Sequence, residues 1–191
     1  MSEVTRAMDW VVSEYRADTN KKYIANLSVQ SLQQGASLDR SISTAAQAGV
    51  IVVVAGGNNS PIGRDACTSS PGKNPDAISV GATDVDDSYA EWSNYGRCIT
   101  IIAPGRQITS VGGTGNNRPP TDPNGVRVMS GTSQASPFVV GAAAIKYHYK
   151  SYTPEEMRQA LIDDATQGIV TGAPGTTPNL FLHINPFKPV Q

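Results

Sequence analysis

Val128-Met129-Ser130-Gly131-Thr132-Ser133-Gln134-Ala135-Ser136-Pro137 decides how the rest of the chain reads. An apolar run ends there in small residues, and a long Ala/Val-rich segment follows, with Phe138, Val139, Val140, Ala142, Ala143, Ala144 and Ile145. The pattern predicts a helix that is apolar on nearly every face, and therefore buried, with Ser133 in its first turn. That turn carries unpaired N–H groups and the positive end of the helix macrodipole, so negative charge developing beside Ser133 would be stabilised. Gly131, Ala135 and Ser136 are small enough to let another backbone approach. Residue types alone fit two roles for Ser133: a nucleophile beside fixed donors, or an ordinary cap on a core helix.

Upstream, Ser37 is placed to cap a helix whose apolar face is Leu38, Ile42, Ala45, Ala46 and Ala48, and Gly49 supplies its stop. Val50 to Val54 is then a continuous, largely β-branched run. Helix, glycine and wholly apolar strand together predict a three-layer α/β/α fold with a mainly parallel sheet. Such sheets bind ligands outside the carboxyl ends of their strands, where Ala55-Gly56-Gly57-Asn58-Asn59 emerges. This loop is neither GxGxxG nor a P-loop and has no Lys-Ser/Thr pair, so nucleotide binding is not supported. The Asn58 amide could donate to a developing oxyanion without changing charge, or could serve a turn at positive φ.

The other elements follow from periodicity and punctuation. Residues 2 to 17 predict a helix capped by Ser2, with Val4, Met8, Val11, Val12 and Tyr15 on one face. Strands are expected at 22–27, 77–82, 98–103 and 108–111, and Arg127 to Met129 leads into the Ser133 stretch. Thr153-Pro154-Glu155-Glu156 is a capping box opening a last helix.

Gly131 to Pro137, followed by Val140-Gly141, resembles the nucleophile motif of the subtilisin-like serine proteases (subtilases, peptidase S8), in particular their proteinase K-like branch. Val52 to Asn59 resembles the strand and loop that carry the family's oxyanion-hole Asn. Val80-Gly81-Ala82, Trp92-Ser93-Asn94-Tyr95-Gly96, Ala103-Pro104-Gly105 and Pro178-Asn179-Leu180 are similar to further family segments. The resemblance implies Ser133 as nucleophile and Asn58 as oxyanion donor. It also implies a substrate cleft walled by Ser28, Val29 and Gln30 on one side and Ala55, Gly56 and Gly57 on the other. Gln30 and Ser31 stand where the family usually has glycines, which let a substrate strand lie against the backbone.

Cys67 and Cys98 are the only cysteines, and neither has zinc-site spacing. Related subtilases can carry a bridge in this region, so the resemblance implies a disulfide between them; two buried thiols are the alternative. It implies no cofactor and no metal. In proteinase K-like members an Asp helps hold calcium where this chain has Thr100, and a neutral hydroxyl is a poor replacement for a carboxylate. Asp84, Asp86 and Asp87 read as a solvated loop rather than a cation site.

A serine hydroxyl needs a base, itself oriented by a carboxylate. The chain has two histidines. His148 lies about four helical turns beyond Ser133, more than ~20 Å away by helix rise. His183 lacks the His-Gly-Thr context of the family's base, and the family's Asp-Ser/Thr-Gly block is absent. Subtilases run Asp, His, Ser along the chain. The resemblance therefore implies that residues 1–186 are a partial catalytic domain, its fold incomplete on the N-terminal side, with 187–191 a tail. The expected function is that of a serine endopeptidase acting on protein or peptide substrates, inactive or very weak as this chain alone. Its expected partner is the missing N-terminal half. A catalytically dead homologue that binds a protein through a relict cleft is the alternative, suggested by Gln30 and the missing residues.

Composition bounds the rest. At 191 residues, formal net charge −1 and 16% charged residues, nothing points to nucleic acid or an acidic membrane surface. No apolar run is long enough to span a membrane. Met1-Ser2-Glu3 does not open a signal peptide, and the start reads as an interior point of a longer, secreted protein.

Overall fold

Residues Ile51–Ala55 form a strand in which all five side chains are buried, and the sheet is assembled on both of its faces. The computed structural model describes residues 3–31, 35–59, 62–112 and 125–184. In chain order these give α1 (Glu3–Ala17), β1 (Ile24–Leu27), α2 (Ala36–Ala48), β2 (Ile51–Ala55), a 3-10 turn (Ala66–Thr68), β3 (Ile78–Thr83), β4 (Ile101–Pro104), β5 (Ile108–Val111), β6 (Val126–Met129), α3 (Thr132–Tyr149), α4 (Pro154–Asp164), β7 (Thr166–Gln167) and β8 (Leu180–Phe181).

Six strands make one sheet in the order β1-β2-β3-β4-β8-β7, parallel from β1 to β8 and antiparallel only at β7. Side chains alternate across a strand, so β2 serves two cores at once. Ile51 and Val53 pack with Val139, Ala142, Met157 and Leu161 of α3 and α4, whereas Val52 and Val54 pack with Met8, Val12, Leu38 and Ile42 of α1 and α2. Three layers result, as the helix-glycine-strand pattern predicts. Among the described residues, strand β1 pairs only with β2 and forms one edge of the sheet. Strands β5 and β6 form a separate antiparallel hairpin, with Val111, Val128 and Met129 exposed.

Three sequence expectations are corrected. Helix α2 starts at Ala36 with Gly35 as its cap residue, and Ser37 lies inside it, its carbonyl accepting from Ser41 Oγ. Its C-terminal end is as expected, with Gly49 at φ 115°. Strand β4 begins at Ile101 rather than Cys98, because Ile99 N–H is taken by Gly96 O in a turn. Helix α3 is not buried all round: Phe138 and Ile145 are each 43% exposed, on a side that also shows Gly141 and Ala144. The expected Ser2 cap and the 187–191 tail lie outside the described residues.

The candidate active site

The carboxyl ends of β1 and β2 and the first turn of α3 converge. Helix α3 has no side-chain cap of its own at Gly131. The cap arrives from the loop after β2: Asn58 Oδ1 accepts from Thr132 N at 2.8 Å and from Thr132 Oγ1 at 2.9 Å. Only the carbonyl end of the amide can face two donors, so its NH2 end is turned away from Thr132. Thr132 Oγ1 in turn accepts from Gly57 N at 3.1 Å.

Ser133 is half-buried in the first turn of α3. Its Oγ lies 3.5 Å from Ser28 O, at the long limit of a hydrogen bond. Ser28 holds the helix from the other side, donating Oγ to Ser133 O at 3.0 Å, with Ser136 Oγ 3.2 Å away. Gly131 leaves a space between the two segments. A Cβ there would lie 2.8 Å from Gln134 Oε1, 3.4 Å from Asn58 Nδ2 and 3.6 Å from Ser133 N. Two N–H donors, one from each segment, thus lie within 3.6 Å of the position a Gly131 Cβ would take.

The glycine-rich loop is shaped by Asn94, which is fully buried. Asn94 Nδ2 donates to Gly56 O at 3.1 Å, its Oδ1 accepts from Arg64 N at 3.0 Å, and its N–H donates to Gly57 O at 2.9 Å. Gly57 sits at φ 109°, and a Cβ there would fall 2.4 Å from Asn94 Nδ2. No other residue fits that position without strain. The Asn94 carbonyl also accepts from the buried Tyr89 hydroxyl, and burial pushes the Tyr89 pKa up to about 12.

Gln30 has a specific place. Its Oε1 accepts from Asn58 N at 2.9 Å and its Nε2 donates to Asn59 Oδ1 at 3.2 Å, so the side chain ties the end of β1 to the loop after β2. Val29 is half-buried beside it, against the α1/α2 core. Ser28, Val29 and Gln30 therefore face Ala55, Gly56 and Gly57 across adjacent parallel strands, which pair Leu27 with Val54. Sequence reading missed the linking roles of Thr132 and Asn94. Both lie inside quoted motifs, but their partners are distant along the chain.

The histidines are elsewhere. His148 is exposed in the last turn of α3, its ring 5.0 Å from that of Tyr149. His183 is exposed after β8, four strand spacings from β1, roughly 19 Å. Among the described residues, no three His, Cys, Asp or Glu side chains are grouped to hold a metal ion. Thr100, at the position of the family's calcium-binding Asp, accepts through Oγ1 from the Arg158 guanidinium at 3.1 Å and from Ser79 N at 3.2 Å. A neutral oxygen already facing a cation does not fit a calcium shell. Cys67 and Cys98 are joined in a disulfide that fastens the 3-10 turn to the segment before β4.

Similarity to known proteins identifies the family. The Peptidase S8 (subtilase family) profile matches residues 1–181. An extracellular serine proteinase of a Thermus species is 41% identical over 185 residues, covering 95% of this chain and 41% of that protein. A subtilisin-like serine protease of Penicillium rubens is 34% identical over 195 residues, covering 94% of this chain and 37% of its own length. Among solved structures, a cold-adapted subtilisin-like serine proteinase superposes with a TM-score of 0.78 at 32% identity, covering 95% of this chain and 60% of that one. The chain spans about two fifths of the length of these curated relatives. Among the described residues, no helix is long and apolar enough to cross a membrane. With the family model matching residues 1–181, and with a mainly parallel sheet covered by helices on both faces, the chain belongs to the subtilase family of serine proteases.

Proposed function

We propose that this chain is the serine-bearing part of a secreted subtilisin-type endopeptidase, with Ser133 as nucleophile and Asn58 Nδ2 and Ser133 N–H as the oxyanion donors. The observation that supports this reading is the space at Gly131, which Asn58 Nδ2 and Ser133 N approach to 3.4 and 3.6 Å. Attack of Ser133 Oγ on a peptide carbonyl would form a tetrahedral intermediate whose oxygen lies against those donors. Collapse to an acyl-enzyme would expel the amine, and water would then release the acid. Both proton transfers need a histidine and its carboxylate, which would come from sequence outside this chain. Alone, the chain would hydrolyse peptides very weakly.

The proposed partner, the N-terminal half of the domain, is supported by two adjacent surfaces. One is the unpaired edge of β1, and the other is the side of α3 that exposes Phe138 and Ile145. Substrate would lie between Ser28–Gln30 and Ala55–Gly57. The Gln30 bonds to Asn58 N and Asn59 Oδ1 tie the two walls of that cleft together. Placement outside the cell is supported by the Thermus relative, an extracellular serine proteinase.

A fluorophosphonate probe tests the reading on the chain alone and on the chain co-refolded with a segment bearing the family's Asp-Ser/Thr-Gly and His-Gly-Thr blocks. Slow labelling of Ser133 alone and fast labelling with the segment is the expected result. Stoichiometric fast labelling of the chain alone would refute the missing base. No labelling in the assembled domain would favour a protein-binding homologue instead.

A further inference from the structure

Arg158 projects from the first turns of α4 toward the turn that leads into β3. Its Nη2 donates to Pro75 O and, at 2.9 Å, to Ala77 O, while Nη1 donates to Thr100 Oγ1 at 3.1 Å. Three oxygens from two separate segments, two of them backbone carbonyls, thus converge on one positive charge. Such a neutral oxygen set, completed by a carboxylate, is what a hard divalent cation requires. Here the carboxylate is missing, Thr100 stands in its place, and a guanidinium fills the centre. Arg suits this role because its planar fork presents several donors at fixed angles and stays charged at every accessible pH.

Access does not explain the substitution. Arg158 and Thr100 line an open surface pocket of about 420 Å³, so ions can reach the oxygens. The pocket's other charged side chains are Lys73 and Arg97, both positive. Glu155, largely exposed, lies 3.4 Å from Arg158 Nε, and with Asp76 it lines a second pocket that Arg158 also borders, not the one at Thr100. A cation entering the pocket would meet positive charge and no carboxylate.

We infer that the Arg158 guanidinium is a tethered replacement for a calcium ion: it holds the Pro75–Ala77 turn to Thr100, and it excludes calcium from this place. The stability of the chain should then not respond to calcium here, whereas removing the guanidinium and restoring a carboxylate should recreate a calcium site.

Thermal unfolding of the full chain, in calcium and in EDTA, tests this with the wild type, Thr100→Asp, and the double variant Thr100→Asp/Arg158→Met. The wild type and Thr100→Asp should unfold at the same temperature in both solutions, since in Thr100→Asp the new carboxylate pairs with Arg158. The double variant should gain a saturable rise of roughly 5–10 °C at free calcium about a hundredfold above its Kd. A calcium-dependent rise in the wild type that Thr100→Ala abolishes would overturn the inference. So would an equal rise in Thr100→Asp and the double variant, because the guanidinium would then not be excluding the ion. If the double variant fails to fold, the wild type, Thr100→Ala and Thr100→Asp still decide the question, calcium silence in Thr100→Asp supporting it and a rise overturning it.

Discussion

Asn58 and Thr132, 74 residues apart, are locked through a single oxygen: the Thr132 N–H and hydroxyl both donate to Asn58 Oδ1. One contact caps helix α3 and fixes the direction of the Asn58 NH2 group. Stability and the candidate chemistry therefore meet at Thr132.

Thr132→Val should separate the two. Valine keeps the shape and removes the hydroxyl, leaving buried Gly57 N–H without its acceptor and Asn58 with one donor fewer. Loss of such a buried partner costs about 1–3 kcal/mol, readable as a lower urea midpoint. Probe labelling of Ser133 in the assembled domain should slow as well, because the amide is no longer held. Thr132→Ser, which keeps the hydroxyl, should restore most of both.

Gly131→Ala should do the reverse, harming chemistry more than stability. The new methyl would enter the opening flanked by Asn58 Nδ2 and Ser133 N. Its closest neighbour is Gln134 Oε1, at 2.8 Å, the far end of a flexible side chain that can swing aside. The unfolding midpoint should move by less than the equivalent of about 1 kcal/mol. Acylation of the assembled domain should fall by roughly 10²–10³, the scale known from subtilisin itself for loss of one oxyanion donor. Equal labelling of variant and wild type would show that the opening is not where the oxyanion forms.

Replacing both cysteines by alanine removes a link across a sequence separation of 31 residues. Chain-entropy bookkeeping gives about 3.5 kcal/mol for a loop of that size. The double variant should unfold at correspondingly lower urea, and the wild type should match it after reduction. Thiol titration of the unreduced, denatured wild type should find no free cysteine.

Alkaline pH should weaken the fold through Tyr89. Its folded pKa is raised to about 12 by burial, against an ordinary value of 10. Above pH 10 the unfolded chain releases this proton while the folded chain keeps it. The contribution is therefore complete below pH 10 and is lost as pH rises through about 12. Tyr147, likewise raised to about 12 by burial with Tyr15 adding to it, acts in the same direction. Denaturation midpoints across this range should fall, and Tyr89→Phe should fall less steeply from a lower starting point, since it loses the bond to Asn94 O.

Much of the fold was legible because its signals are local. The Gly49 stop, the β-branched run of β2 and the Thr153 capping box each act within a few residues, and each is found. Ser37 was misread as a cap because the entry to α2 is set from afar: Gly35 packs against Ser70, whose hydroxyl bonds Asp39 one turn into the helix. The placement of Ser133 in a first turn was legible from small residues preceding an apolar run. What Gln30, Asn94 and Arg158 do was not, because each joins segments between 28 and 83 residues apart. Which side of α3 is exposed was not legible for a different reason: apolar composition signals a face to be covered without saying by what.

Among the described residues, strand β1 has one ladder partner, and its other side is a row of amides and carbonyls outside any ladder. Parallel strands add side by side in one direction, so that row is a template with polarity. It can be filled by the strand that completes the sheet, or by the same edge of a second copy turned about an axis. If the proposed N-terminal half is what pairs with this edge, adding it should suppress self-association of the chain, as dilution should.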